Sequence, residues 1–173
     1  RNTTWQQARF ECCHHKWCDL SETDGGVAIL NDGKYGVGFL ENQISLSLLR
    51  APIRPDVTAD MGHHSFCYRI VPHAGDPVQA GINRRALQFN QPPIKSDVVY
   101  NGTDFAPLYL QAMKFSEDGE RIVVRLSEQD GRRGTLRLPR KVQVLNMLED
   151  VERETDSVDY TPFEILTLGW PVE

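Results

Sequence analysis

The chain has 173 residues, a net charge of −5, 40% hydrophobic residues and 25% charged ones, the balance of an ordinary soluble globular protein with room for one or two cores. Lys and Arg are spread along it rather than clustered, which argues against a nucleic-acid partner, and no apolar run reaches the length of a membrane span. Its four cysteines, Cys12, Cys13, Cys18 and Cys67, lack the spacing of a secreted disulfide framework, so the expected compartment is a reducing cytoplasm.

The chain starts at Arg1 without a methionine or a charged-then-apolar leader, and it reads as a piece of a longer protein. Trp5 to Asp19 is an extended stretch rich in aromatics and cysteine, in which periodicity does not separate helix from strand. Ser21–Gly26 is a turn, with Asp24-Gly25 as the hairpin signal. Val27–Leu30 is a short apolar run suited to a buried strand, followed by the turn Asp32-Gly33. Ile44–Leu49 alternates apolar residues with serine and reads as a strand with one buried face. Residues 50–62 hold Pro52 and Pro55 and form a long loop, a kind of segment that often carries function.

Ser65–Val71 returns to strand character, ended by Pro72-His73-Ala74-Gly75. Asp76-Pro77 then reads as an N-cap with proline at the first helical position. Val78, Ile82, Ala86 and Phe89 follow at helical spacing until Pro92-Pro93 stops the helix, with Gly81 a weak interior point. A linker is expected at 94–107. Beyond it, Leu108–Phe115, Arg121–Ser127, Gly134–Leu138, Val142–Leu148 and Phe163–Leu168 read as short strands of a small β-sandwich, separated by turns and by a charged stretch, Glu149–Asp159. Asn2-Thr3-Thr4 and Asn101-Gly102-Thr103 match the glycosylation sequon, a short pattern that is silent in a cytoplasmic protein.

Three clusters can carry chemistry. Cys12-Cys13-His14-His15-Lys16-Trp17-Cys18 offers soft ligands for zinc, but one continuous run does not supply the two separated pairs of a structural site. If it is a strand, Cys12 and His14 face one way and Cys13 and His15 the other, and the cysteines then serve as small core residues. Asp60-Met61-Gly62-His63-His64 can bind a metal or sugar hydroxyls, or can anchor its own loop through side-chain to backbone hydrogen bonds. Gly131-Arg132-Arg133-Gly134 can pair with an acidic surface or form a solvated hairpin. No nucleophile elbow, phosphate-cradling loop or recognisable carboxylate pair is present.

The ordered words of the first ninety residues carry more information. Trp5 with Ala8-Arg9-Phe10-Glu11, then His15-Lys16-Trp17 and Asp19-Leu20-Ser21-Glu22, resemble the C-terminal region of glycoside hydrolase family 38, the α-mannosidases, in its cytosolic and bacterial branch. Gly26-Val27-Ala28-Ile29-Leu30-Asn31-Asp32, Lys34-Tyr35-Gly36 and Leu46-Ser47-Leu48-Leu49-Arg50-Ala51-Pro52 continue that resemblance. So do Pro55-Asp56, Ala59-Asp60, Gly62, His64, Phe66, Tyr68, Pro72-His73 and Gly75. After Pro93 it thins to Val124-Arg125-Leu126, Gly131-Arg132-Arg133-Gly134 and Leu166-Thr167-Leu168. Two departures are Gly33, where the family usually has cysteine, and Pro77, where it has an aromatic. Cys12, His14 and Cys18 fall on positions the family fills variably, which weakens the zinc reading.

The resemblance implies a mainly β fold: the last part of a galactose-mutarotase-like β-supersandwich over 1–93, the linker 94–107, and a small C-terminal β-sandwich over 108–173, with one short helix between them. It implies part of a retaining exo-α-mannosidase whose nucleophile, acid and divalent metal, usually zinc, belong to an upstream catalytic domain. Of those motifs none is present here, so this piece is expected to have no catalytic residue, bind no metal and be inactive alone. Asp60 and His64 are the implied wall of the sugar site, with Arg50, Lys34 and Tyr35 beside them. Expected partners are the upstream catalytic domain, mannosides, and a second copy that covers unpaired strand edges by dimerisation or strand swapping. A free-standing carbohydrate-binding β module is the competing reading.

Overall fold

The computed structural model describes residues 11–91 and 104–172, and the chain divides into two compact units, Arg1–Lys95 and Ser96–Glu173. Each is described by itself. The expected stretch from Trp5 to Phe10 and most of the 94–107 linker lie outside the described residues, as does the sequon at Asn2 and that at Asn101.

Among its described residues the first unit holds two three-stranded antiparallel sheets and a helix. β1 (Glu11–Cys13), β4 (Gly36–Leu40) and β5 (Gln43–Leu46) form one sheet in the order β1-β4-β5. β2 (Trp17–Ser21), β3 (Gly25–Asn31) and β6 (Tyr68–Ala74) form the other, in the order β2-β3-β6. Glycines explain why β3 sits so close to its neighbours. A Cβ at Gly26 would lie 2.3 Å from the Ser21 Cβ, and one at Gly25 would lie 2.5 Å from the His73 carbonyl oxygen.

Helix α1 (Ile82–Asn90) lies on the β2-β3-β6 sheet, and Ile82 and Ala86 pack with Ala28, Leu30 and Val71. The expected stripe is there, but the helix begins later than its sequence suggests. Asp76 caps a separate turn, accepting the Gln79 amide at 2.7 Å. Gly81 then adopts φ 65° at the helix N-cap, a left-handed conformation that glycine reaches without steric cost. Its role is to start the helix, not to weaken its interior.

The second unit is a five-stranded antiparallel sheet, β10-β9-β11-β8-β7. Its strands are β7 (Tyr109–Phe115), β8 (Arg121–Ser127), β9 (Gly134–Leu145), β10 (Val151–Tyr160) and β11 (Ile165–Pro171). β9 runs through both Gly134–Leu138 and most of Val142–Leu148, which the sequence reading had as two strands. Its register with β10 shifts between Thr155 and Ser157, and such irregularities bend a strand. Leu136, Leu138, Val158 and Tyr160 on the far half thereby join Val124, Leu126, Leu166, Leu168 and Trp170 in one core. The bent ribbon supplies the second layer of the sandwich.

Three further corrections have physical causes. The charged stretch Glu149–Asp159 is not a separator but mostly strand β10: it is a sheet-edge strand, paired through its backbone while most of its side chains face solvent. The third strand of the first unit's second sheet starts at Tyr68 rather than Ser65 and continues through Pro72, which an edge strand tolerates because its missing N–H can face outward. The extended 5–19 stretch breaks at Lys16, φ 64°, so β1 and β2 belong to different sheets.

Candidate functional site

Asn31, at the end of β3, is fully buried and its side chain shapes the turn that follows. Its Oδ1 accepts the amides of Gly33 at 3.0 Å and Lys34 at 2.7 Å, the arrangement by which an Asx side chain stands in for a backbone turn. Its own amide donates to the Lys16 carbonyl at 2.9 Å, and its carbonyl accepts from Asn90 Nδ2 at 3.0 Å. The next residue, Asp32, accepts the Cys67 amide at 2.7 Å. One turn therefore ties together the 14–16 turn, the end of α1 and the end of the proline loop.

The predicted site residues fall into two groups, of which the first belongs to this turn. Lys34 Nζ lies 4.8 Å from the centre of the Phe66 ring, a cation–π distance. Tyr35 is half-exposed and stands 5.0 Å, ring to ring, from His15, while its carbonyl accepts the His14 amide at 2.9 Å. In the second group, Asp60 Oδ2 accepts the amides of Arg50 at 3.1 Å and Ala51 at 2.6 Å. His64 Nε2 lies 3.0 Å from the Asp60 carbonyl oxygen and must donate to it. The Arg50 guanidinium forms an exposed ion pair with Glu11, whose carboxyl the Arg50 hydrogen bond holds below the usual range.

Chemically, these contacts make the 50–67 loop an anchored platform. Asp60 acts on its own backbone, one of the two readings its sequence left open, and Asp56 does the same for Thr58 at 2.8 Å. To solvent the loop shows apolar Ile53, Val57 and Met61 together with polar Arg54, His63 and His64, all exposed. A groove of about 560 Å³ lies elsewhere in the unit, lined by Arg69, Val71, Arg85 and Phe89 among others, and none of the predicted site residues lines it.

The cysteine and histidine cluster does not assemble. All four cysteines are free. Cys18 is buried, and burial pushes its thiol up to about 11, which makes it unreactive. Among the described residues no three His, Cys, Asp or Glu side chains are grouped as a metal requires.

Two charged sites went unnoticed in the sequence. His73 Nε2 sits 2.7 Å from Asp19 Oδ2, with both side chains buried; the hydrogen bond to Asp19 holds the imidazole above its ordinary value. Fifty-four residues separate the partners, and nothing in either segment points to the other. Glu128, in the second unit, is buried and accepts the amides of Asp130 at 2.8 Å, Gly131 at 3.0 Å and Phe163 at 2.9 Å. Burial works to raise its carboxyl, but amides from Phe163, Arg132, Asp130 and Gly131 together outweigh it and hold the group below the usual range. A Glu two residues before an Asp-Gly turn was the available signal. Arg132 and Arg133 in that turn are exposed.

Residues 1–58 match the family model described as the glycosyl hydrolases family 38 C-terminal domain, and residues 107–168 match the family 38 C-terminal beta sandwich domain. The chain is 36% identical to alpha-mannosidase G of Dictyostelium discoideum over an alignment covering 96% of this chain and 18% of that protein. It is 52% identical over 91 residues to alpha-mannosidase 2C1 of Mus musculus, covering 53% of this chain and 9% of that one. With the alpha-mannosidase of Saccharomyces cerevisiae it shares 55% identity over 89 residues, 51% of this chain and 8% of the yeast protein. The chain thus spans less than a fifth of the length of these relatives. Two family models matched in chain order, on units that the fold separates, place this chain in the C-terminal region of glycosyl hydrolase family 38.

Proposed function

We propose that this chain is the non-catalytic C-terminal β portion of a cytoplasmic, retaining, metal-dependent exo-α-mannosidase that releases terminal α-mannosyl residues. In this reading the nucleophile, the proton donor and a zinc-type divalent cation lie in an upstream catalytic domain. The cation would grip sugar hydroxyls there, and no residue of this chain acts on it. What supports the reading most is the alignment with a Dictyostelium alpha-mannosidase over 96% of the chain.

This portion's own contribution is to brace that domain and to wall one side of the sugar site with the loop 56–64. Asp60 and His64 hold the loop's shape through the contacts at Arg50, Ala51 and Asp60. Lys34 and Tyr35 form the neighbouring rim. A hydroxyl-rich ligand would meet the exposed Tyr35 ring and the free carboxylate and imidazole edges of the loop.

The test compares two polypeptides. The purified 173-residue chain is expected to show no turnover of an aryl α-mannoside with or without added zinc or cobalt, whereas a polypeptide extended upstream turns it over. In the extended enzyme Asp60→Ala frees two amides and costs about 1 kcal/mol locally, so KM rises by a few-fold while kcat changes less. Turnover by the 173-residue chain itself would overturn the reading.

A further inference from the structure

In an antiparallel ladder, residues directly opposite one another put their side chains on the same face. Across β7, β8 and β11 this makes three rows on the core-facing side of the sheet: Leu110–Leu126–Leu166, Met113–Val124–Leu168 and Phe115–Ile122–Trp170. Burial changes sharply along each row. Leu126 and Leu168 are 0% exposed and Val124 1%, yet on β7 Leu110 is 47%, Met113 45% and Phe115 64% exposed, with Ile122 at 37%. The folded-back β9–β10 ribbon covers β11 and β8 and stops one strand short.

The other side of β7 is finished. There Lys114 pairs with Glu149 at 2.6 Å, and Gln111 donates to the Ser127 hydroxyl at 2.9 Å. A strand whose polar face is satisfied and whose apolar face is bare is a sandwich edge missing part of its second layer.

The size of the strip decides what covers it. At about 200 Å² for a large side chain, the four residues leave roughly 400 Å² open. A second copy would have to find the rest of the about 800 Å² that each partner of a stable complex contributes. The ladder irregularity at Gln111, between Leu110 and Ala112, also blunts β7 for edge-to-edge pairing. A segment of the same polypeptide needs neither, because tethering supplies an effective concentration in the millimolar range. The Dictyostelium relative extends far beyond the aligned part, which is 18% of it.

We propose that the open strip Leu110–Met113–Phe115–Ile122 is the seat for an apolar face of another segment of the longer polypeptide, one outside these 173 residues. The occupant is an amphipathic element that offers two or three large apolar side chains and needs no charge, since Lys114 and Glu149 already satisfy each other. This rests on the reading of the chain as part of a longer mannosidase.

The experiment places Phe115→Cys in the 173-residue chain and in the upstream-extended polypeptide, and follows maleimide labelling of that position by peptide mass spectrometry. Labelling at least ten-fold slower in the extended protein is expected, with each rate normalised to that of the same protein unfolded in urea. As a second measurement, Phe115→Ser is expected to lower the Tm of the extended protein and leave that of the 173-residue chain unchanged. Equal labelling in the two proteins would overturn the proposal. So would a dimer of the 173-residue chain, seen by light scattering, that Phe115→Glu abolishes. Neither readout needs turnover, so a shielded position 115 in an inactive extended protein would defeat the mannosidase reading and leave the docking strip standing.

Discussion

The two units solve the same problem, covering a small antiparallel sheet, to different degrees. The second builds its core from thirteen buried side chains contributed by β8 to β11 and the segment before β7. Among its described residues the first has five buried core residues in its cluster, two of them alanines and two, Ile82 and Ala86, on its nine-residue helix. The opposite face of its β2-β3-β6 sheet leaves Val27, Ile70 and Tyr68 exposed. A sheet needs apolar cover to offset the entropy of ordering its chain. The second unit carries most of its own cover, while the first keeps a bare face beside a loop with exposed Ile53, Val57 and Met61.

Separating the units gives the largest expected effect. A polypeptide of residues 104–172 should unfold in one cooperative transition, seen by circular dichroism and by tryptophan fluorescence from Trp170. One of residues 1–91 should bind a hydrophobic dye, self-associate in light scattering, and lack a sharp transition. A cooperative, monomeric first segment would remove the contrast.

Strands that bury an alternating face were legible in the sequence, because a period of two shows directly in residues such as those of Arg121–Ser127. So was the helical stripe of Ile82, Ala86 and Phe89. What stayed hidden depends on pairing rather than on side chains. β10 is held by backbone bonds to β9 and shows solvent a polar sequence, so its composition reads as a charged linker. Propensity makes Gly81 a weak point of the helix, whereas its φ of 65° makes it the helix start. At the candidate site, the loop and the turn were legible as words in order. Their wiring was not: that Asp32 reaches Cys67 across thirty-five residues follows from the fold and not from spacing.

The second unit's self-sufficiency can be weakened at one buried charge. Glu128→Gln keeps the shape of the side chain but turns one acceptor oxygen into an amide donor facing backbone N–H groups. The cost is expected to be about 2 kcal/mol, measured by urea unfolding of the chain at pH 7. The pH dependence has a definite sign. The folded carboxyl lies below its ordinary value of 4.5, so its contribution is complete above about that pH and is lost as pH falls through the folded pKa. Glu128→Gln should therefore flatten the acid side of the second unit's stability profile.

The smallest effect belongs to the first unit and runs the other way with pH. His73 is 2% exposed and Asp19 7% at their side chains, and the pair spans β3 on its helix-covered side, where Asp19 sits in register with Ala28 and His73 with Gly26. Because the Asp19 hydrogen bond raises the folded His73 above its ordinary value of 6.5, the pair's contribution is complete below about pH 6.5. It is lost as pH rises through the folded pKa. Asp19→Asn keeps a neutral hydrogen bond but removes the charge, at a cost of about 1 kcal/mol at pH 6 and less at pH 8. Two unfolding series of the whole chain at those pH values, with Trp17 beside the pair's sheet as the probe, check it. A loss close to zero at both values would mean that the pair's charge contributes nothing in the folded state. The first unit would then be held at this point by shape alone, and its dependence on cover from elsewhere would be greater still.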